Sequence, residues 1–145
     1  LSMIKIDKSQ WPIVQIETDG LATVEAMAEY NATMDDLLAQ AEGQDGQFGL
    51  IFISDMSDEE YKAHKREKAA QKLSNDWLRA NRARMTKQCV AIAMVTKATG
   101  IMRMFKPIAR MTMKRMMGAP GDLFFTIEEA TTWMNKQLHS TAVNS

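Results

Sequence analysis

The chain has 145 residues, 46% of them hydrophobic and 25% charged, a single cysteine (Cys89) and a formal net charge of zero. That length suits one domain with a core of its own, and the composition excludes disordered, collagen-like and disulfide-framework classes. No apolar run approaches the roughly 18 residues of a membrane-spanning helix, and the first ten residues lack the apolar centre of a signal peptide, so a cytoplasmic protein outside the integral membrane class is expected.

MIKID (3–7) and WPIVQIET (11–18) are short segments rich in β-branched residues on either side of a polar turn, which predicts an antiparallel hairpin. Pro12 belongs at the first residue of the second strand or on an edge, and Asp19-Gly20 ends that strand. In the next segment Val24, Met27, Asn31, Met34, Leu37, Leu38 and Ala41 recur at helical spacing, and Gly43 supplies the stop. FGLIFIS (48–54) is a continuous apolar run of strand length, the pattern of a strand covered on both faces.

Ser57 to Glu60 fits a capping box, and a long charged helical segment follows to about Lys87, as one helix or as two recapped at Ser74-Asn75-Asp76. Its apolar stripe is narrow: Tyr61, Ala69, Ala70, Leu73, Trp77 and Ala80. A long helix of that kind either projects or buries its stripe on a second chain, which predicts a homodimer. CVAIAMVT (89–96) is another buried-type strand, and LFFTI (123–127) is the last. Thr126 and Glu129 then form a second capping box for a closing helix faced by Ala130, Trp133, Met134 and Leu138.

The order β-β-α-β-α-β-α-β-α predicts a single α/β domain over residues 1–145, with a mainly parallel sheet of about five strands, an antiparallel N-terminal hairpin and about four covering helices. This layout resembles the SpoIIAA-like branch of STAS domains, within the CRAL-TRIO-like class of folds. The resemblance is carried by the hairpin, the helix after Asp19-Gly20, the strand FGLIFISD ending in Asp55, the Trp- and Arg-bearing helix leading into CVAIAMV, and the Glu129-Ala130-x-x-Trp133 pattern of the last helix. It implies a non-enzymatic module that binds proteins, nucleotides or lipids. The phosphorylated serine of the best-known members lies in an Asp-Ser-x-Gly pattern that Ser54-Asp55-Met56-Ser57-Asp58 does not reproduce. Ser57 is the nearest candidate for phosphorylation, and an ordinary N-cap is its simpler role.

The residues by themselves point to no enzyme. His64 lies among Lys62, Lys65 and Arg66 and His139 in the last turn of the closing helix, neither with partners at metal-ligand spacing, so no metal and no cofactor is expected. Cys89 opens a buried-type strand, the place of a small hydrophobe rather than a nucleophile. No nucleophile elbow or phosphate-cradling loop is present, and nucleic-acid binding is not expected because no recognised module accompanies the positive charges.

The charge is unevenly spread. Residues 1–76 carry fifteen acids against seven basic residues, whereas residues 77–121 carry ten Lys or Arg and no acid. Within that basic segment, IMRMFKPIARMTMKRMM (101–117) holds six of the thirteen methionines. On a helical wheel at about 100° per residue, Arg103, Lys106, Arg110 and Lys114 form one strip, opposite an arc that includes Met104, Phe105, Ile108 and Met111. Because Pro107 suits a first turn, the regular helix is expected to start near Lys106 or Pro107 and end at Gly118. Arg103 and Lys106 would then stand in the loop leading into it, with Arg110 and Lys114 behind, as candidates for holding an anion at exposed backbone N–H groups. Three readings compete: a crossover helix whose methionines fill core gaps, a pocket lined by Met104, Phe105, Ile108 and Met111 for a lipid or other hydrophobic or anionic ligand, and reversible docking on an anionic membrane surface. The expected function is a binding or regulatory module acting through protein–protein contacts, with the ligand carrier and the peripheral membrane protein as alternatives.

Overall fold

A computed structural model describes residues 4–144. It contains β1 (Ile4–Asp7), β2 (Ile13–Thr18), α1 (Val24–Gly43), β3 (Phe48–Ser54), α2 (Asp58–Ala63), α3 (Lys68–Gln88), β4 (Cys89–Thr96), α4 (Thr99–Met117), β5 (Gly121–Phe124) and α5 (Ile127–Asn144). The five strands form one sheet in the order β1-β2-β3-β4-β5; β1 and β2 are antiparallel and every later pair is parallel. This is the α/β architecture expected of the sequence, with five helices rather than about four. Met3, the expected start of the first strand, lies outside the described residues.

Strand alternation divides the buried side chains between the two faces. Val14 pairs with Leu50 and Leu50 with Ile92, and this row meets Met27, Met34, Leu37 and Leu38 of α1 and Met85 of α3. On the opposite face Ile13, Ile51, Ala91, Ala93 and Val95 pack under Ala130 and Met134 of α5. Each parallel step from β2 to β5 is crossed by helices on the first face, which is the outcome of uniformly right-handed crossovers in a sheet that adds strands in one direction. Only α5 returns to cover the second face, so the β1–β2 end of that face stays polar, with Lys5, Asp7, Gln15 and Glu17 on it.

The charged segment after Ser57 divides into two helices, but not where recapping was expected. The break falls between His64 and Lys68, and tertiary hydrogen bonds fix it: Arg66 Nη2 donates to the Gly20 carbonyl at 3.0 Å, Glu67 N–H to the Ala22 carbonyl at 2.8 Å, and Val24 N–H to the Glu67 carboxylate at 3.1 Å. His64 is half-buried with its ring against Gly20. Tyr61 and Ala69 are exposed, while Ala70, Leu73 and Trp77 pack into the core against α1. Trp77 Nε1 donates to Asp35 at 2.9 Å, and Arg84 reaches Glu42 at 2.6 Å. The part of the stripe formed by Ala70, Leu73 and Trp77 is therefore covered by α1 of the same chain.

Candidate functional site

Helix α4 starts about two turns earlier than Pro107 suggested. Its first residue is Thr99, and Arg103, Lys106 and Pro107 all lie within it. Proline removes one N–H, which would have met the carbonyl of Arg103 four residues back; Pro107 is exposed, so water can serve that carbonyl. Ala98, at the N-cap, offers no side-chain oxygen. The cap comes from another helix: the Asp58 carboxylate at the start of α2 accepts from the N–H groups of Gly100 at 3.3 Å and Ile101 at 3.2 Å. The first amides of α4 are thus already occupied, and those beside Lys106, expected to be exposed to an anion, lie inside the helix. At the other end the helix stops at Gly118, whose φ of 79° is the left-handed conformation that glycine adopts without steric cost.

Short strand β5 sets the rotation of α4. Gly121 has no side chain, and a methyl group there would overlap Met113, so the helix lies close over the sheet edge. One residue on, the buried Asp122 draws in two cations. Arg110 Nη2 stands 2.9 Å from Asp122 Oδ2 and Lys106 Nζ 3.3 Å from Oδ1. Lys106 also donates to the Leu123 carbonyl and sits 4.7 Å from the centroid of the Phe124 ring. Burial alone would raise the Asp122 carboxyl; the hydrogen bonds from Arg110 and the Leu123 N–H, with Lys106 beside them, outweigh it and hold the group below the usual carboxylate range.

Pulling the basic strip toward β5 turns most of the apolar arc outward. Met102 and Met113 are buried, with Ile101, Ala109 and Met117 partly so. Met104 is 76% exposed, Phe105 48%, Ile108 58% and Met111 75%. These four were expected to line a pocket or cover the sheet; they form instead an outward ridge on the exposed side of the helix. The cause is the anchoring of Lys106 and Arg110 on Asp122, which a wheel of α4 alone does not contain. Neither of two surface cavities, of about 270 and 250 Å³, is lined by any of the four.

The anion-binding candidates separate in the same way. Lys106 and Arg110 are engaged by Asp122, which removes them as free anion ligands. Arg103 and Lys114 are exposed along the ridge, the guanidinium of Arg103 lying 5.5 Å from the centroid of the Phe125 ring, and Arg115 is exposed at the C-terminal end. Ser57 acts as the N-cap of α2: its hydroxyl accepts the Glu60 N–H at 3.2 Å while the Glu60 carboxylate accepts the Ser57 N–H at 3.4 Å. Among the described residues no group of three or more His, Cys, Asp or Glu side chains converges where a metal could be held. Nor is any helix among them long and apolar enough to cross a membrane.

No protein-family model, curated protein or solved structure matches this chain.

One constellation had no counterpart in the sequence reading. The cavity of about 270 Å³ lies at the C-terminal ends of β2 and β3, lined by Lys5, Glu17, Thr18, Asp19, Asp55, Met56 and Glu60. Glu17 hydrogen-bonds Asp55, and this contact, with the negative charge behind it, raises the Glu17 carboxyl above its ordinary range and lowers that of Asp55. The lining contains no histidine or cysteine beside this carboxyl pair. The sequence signal for this pair was available only in retrospect: both residues sit at the ends of neighbouring parallel strands, which pairing in the sheet makes adjacent.

Proposed function

We propose that this chain is a non-enzymatic binding module, of the kind that SpoIIAA-like STAS domains represent, and that it docks through the outer face of α4. The observation that carries the reading is the ridge of Met104, Phe105, Ile108 and Met111, exposed together on the side of the helix opposite its buried face. A covering helix ordinarily turns polar residues outward, and contiguous apolar surface of this sort marks contact sites. Arg103, Lys114 and Arg115 beside the ridge give it an electrostatic preference for acidic surfaces. The carrier alternative needs the same four side chains to face a cavity, and their exposure argues against it.

The test is a photoreactive benzophenone amino acid placed at Met111 and, as a comparison, at Ala39 on the exposed side of α1, in cells of the protein's own source. An adduct formed at Met111 and absent at Ala39 is the expected result. Equal labelling at both positions, or none at Met111, would overturn docking through α4.

A further inference from the structure

The outer face of α4 has a composition that selects among partners. Taking Met104 as the reference at about 100° per residue, Ile108 and Met111 lie almost in line with it, and Met102 and Met113 lie on the opposite, buried side. The apex of the exposed face is therefore apolar. Arg103 and Lys114 stand along one flank of the ridge, and Arg115 lies at its C-terminal end.

α4 itself carries no negative charge. Residues 77–121 contain no acid. The carboxylates that hydrogen-bond α4, those of Asp122 and Asp58, are turned into the helix and consumed there. The strand order extends the asymmetry along the molecule: the acid-rich first half builds β1, β2, α1, β3 and α2, whose acidic first turn (Asp58, Glu59, Glu60) meets the start of α4, while the rest of α4 and β5 form the opposite end of the sheet. A broad negative surface attracts the α4 end and repels the other, which orients the chain with its ridge forward.

A second copy of the chain fits this surface poorly. Symmetric pairing of two α4 helices would set Arg103, Lys114 and Arg115 against their own counterparts, and pairing with the acidic half would be head-to-tail and would not close. The ridge is exposed, so a rigid partner would need a matching groove, whereas a fluid bilayer accepts a row of flexible methionines without one. A helix of 19 residues with an apolar apex and one basic flank is long enough to lie in the interfacial plane with its apex among the first acyl carbons. We infer that the partner is the anionic surface of a lipid bilayer, on which α4 lies flat with Met104, Phe105, Ile108 and Met111 inserted and Arg103, Lys114 and Arg115 among the headgroups. This assignment rests on the docking role proposed for α4 and adds the nature of the partner.

Flotation of the full chain with vesicles of phosphatidylcholine, with and without phosphatidylserine, tests it. The expected result is binding to the anionic vesicles at low salt, weakened as salt screens the headgroups, with little binding to phosphatidylcholine alone. A Met104→Gln, Ile108→Gln, Met111→Gln triple variant should bind at least about tenfold more weakly while keeping its unfolding midpoint. Phe105→Trp, which retains an aromatic side chain, should add a blue-shifted component to the emission on the anionic vesicles. No flotation at low salt, undiminished flotation of the triple variant, or an unshifted tryptophan in vesicle-bound protein would each overturn the assignment. Absence of flotation together with an α4-specific adduct at Met111 would remove the lipid partner and leave docking through α4 intact; absence of both would remove the two together.

Discussion

Arg110 places two nitrogens, Nε and Nη2, each 2.9 Å from the same oxygen of Asp122. The other oxygen takes the Leu123 N–H at 2.8 Å and faces Lys106. Asp122 is thus the point at which α4 is fixed to β5, and the exposed ridge follows from it. Asp122→Ala should lower stability by about 1–3 kcal/mol, the range for leaving charged hydrogen-bond partners unmet, and should speed amide exchange across α4 more than across α1. The pH dependence has a definite sign. A carboxyl held below its unfolded value of about 3.9 contributes stability above that pH and loses it as pH falls through the lower folded value. Protection of α4 amides should accordingly be flat from neutrality to about pH 5 and fall below about pH 4, and Asp122→Asn should remove that acid step. Identical exchange in native and variant protein would refute the anchoring role.

The two sides of α4 should respond in opposite ways to the loss of a methionine. Met113 is 6% exposed and packed over Gly121, so Met113→Ala should cost about 2–4 kcal/mol in chemical denaturation, as truncations in packed cores do. Met111 is 75% exposed, and Met111→Ala should stay within about 0.5 kcal/mol of the native chain. A comparable loss at both positions would mean that α4 is rotated differently from the arrangement described.

Asp58 ties two helices together. It occupies the first position of α2, yet its carboxylate accepts the first amides of α4. Asp58→Ala should cost about 0.5–2 kcal/mol, the usual range for a lost N-cap, and should raise exchange selectively at Gly100 and Ile101. Asp58→Asn keeps an acceptor oxygen and should restore most of the protection. Retention of full protection at both amides in the alanine variant would refute the cap.

The legible part of this protein was whatever its own local pattern determined. The hairpin, the apolar runs of β3 and β4 and the alternation of strand and helix led to a mainly parallel sheet with an antiparallel N-terminal pair, and the caps at Ser57 and Thr126 were visible as spacings. Cys89, read as a small hydrophobe, is buried, and that burial pushes its thiol up to about 12. What stayed illegible depended on partners distant in sequence. The start of α4 requires Asp58, 42 residues earlier, and its rotation requires Asp122, which stood in the sequence only as one acid among the last few. The break before α3 is made by hydrogen bonds from Arg66 and Glu67 to the β2–α1 loop, with no glycine or proline to announce it. Met104, Phe105, Ile108 and Met111 were consequently read as lining a pocket or covering the sheet, whereas α4 turns them outward.

The acidic cavity offers a check that is independent of α4. Glu17 and Asp55 hydrogen-bond at the ends of β2 and β3, and Lys97 lies 3.4 Å from Asp55. Carbon-detected carboxyl titration should find the pair losing its protons in two separated steps, one below the ordinary aspartate range and one above the ordinary glutamate range. Asp55→Asn removes the negative neighbour, so Glu17 should return toward its ordinary value of about 4.3. Lys97→Ala removes a cation that favours the ionised form of Asp55, so the lower step should move upward. Unshifted titration of both carboxyls in the native chain would show that the two side chains do not share a proton in solution.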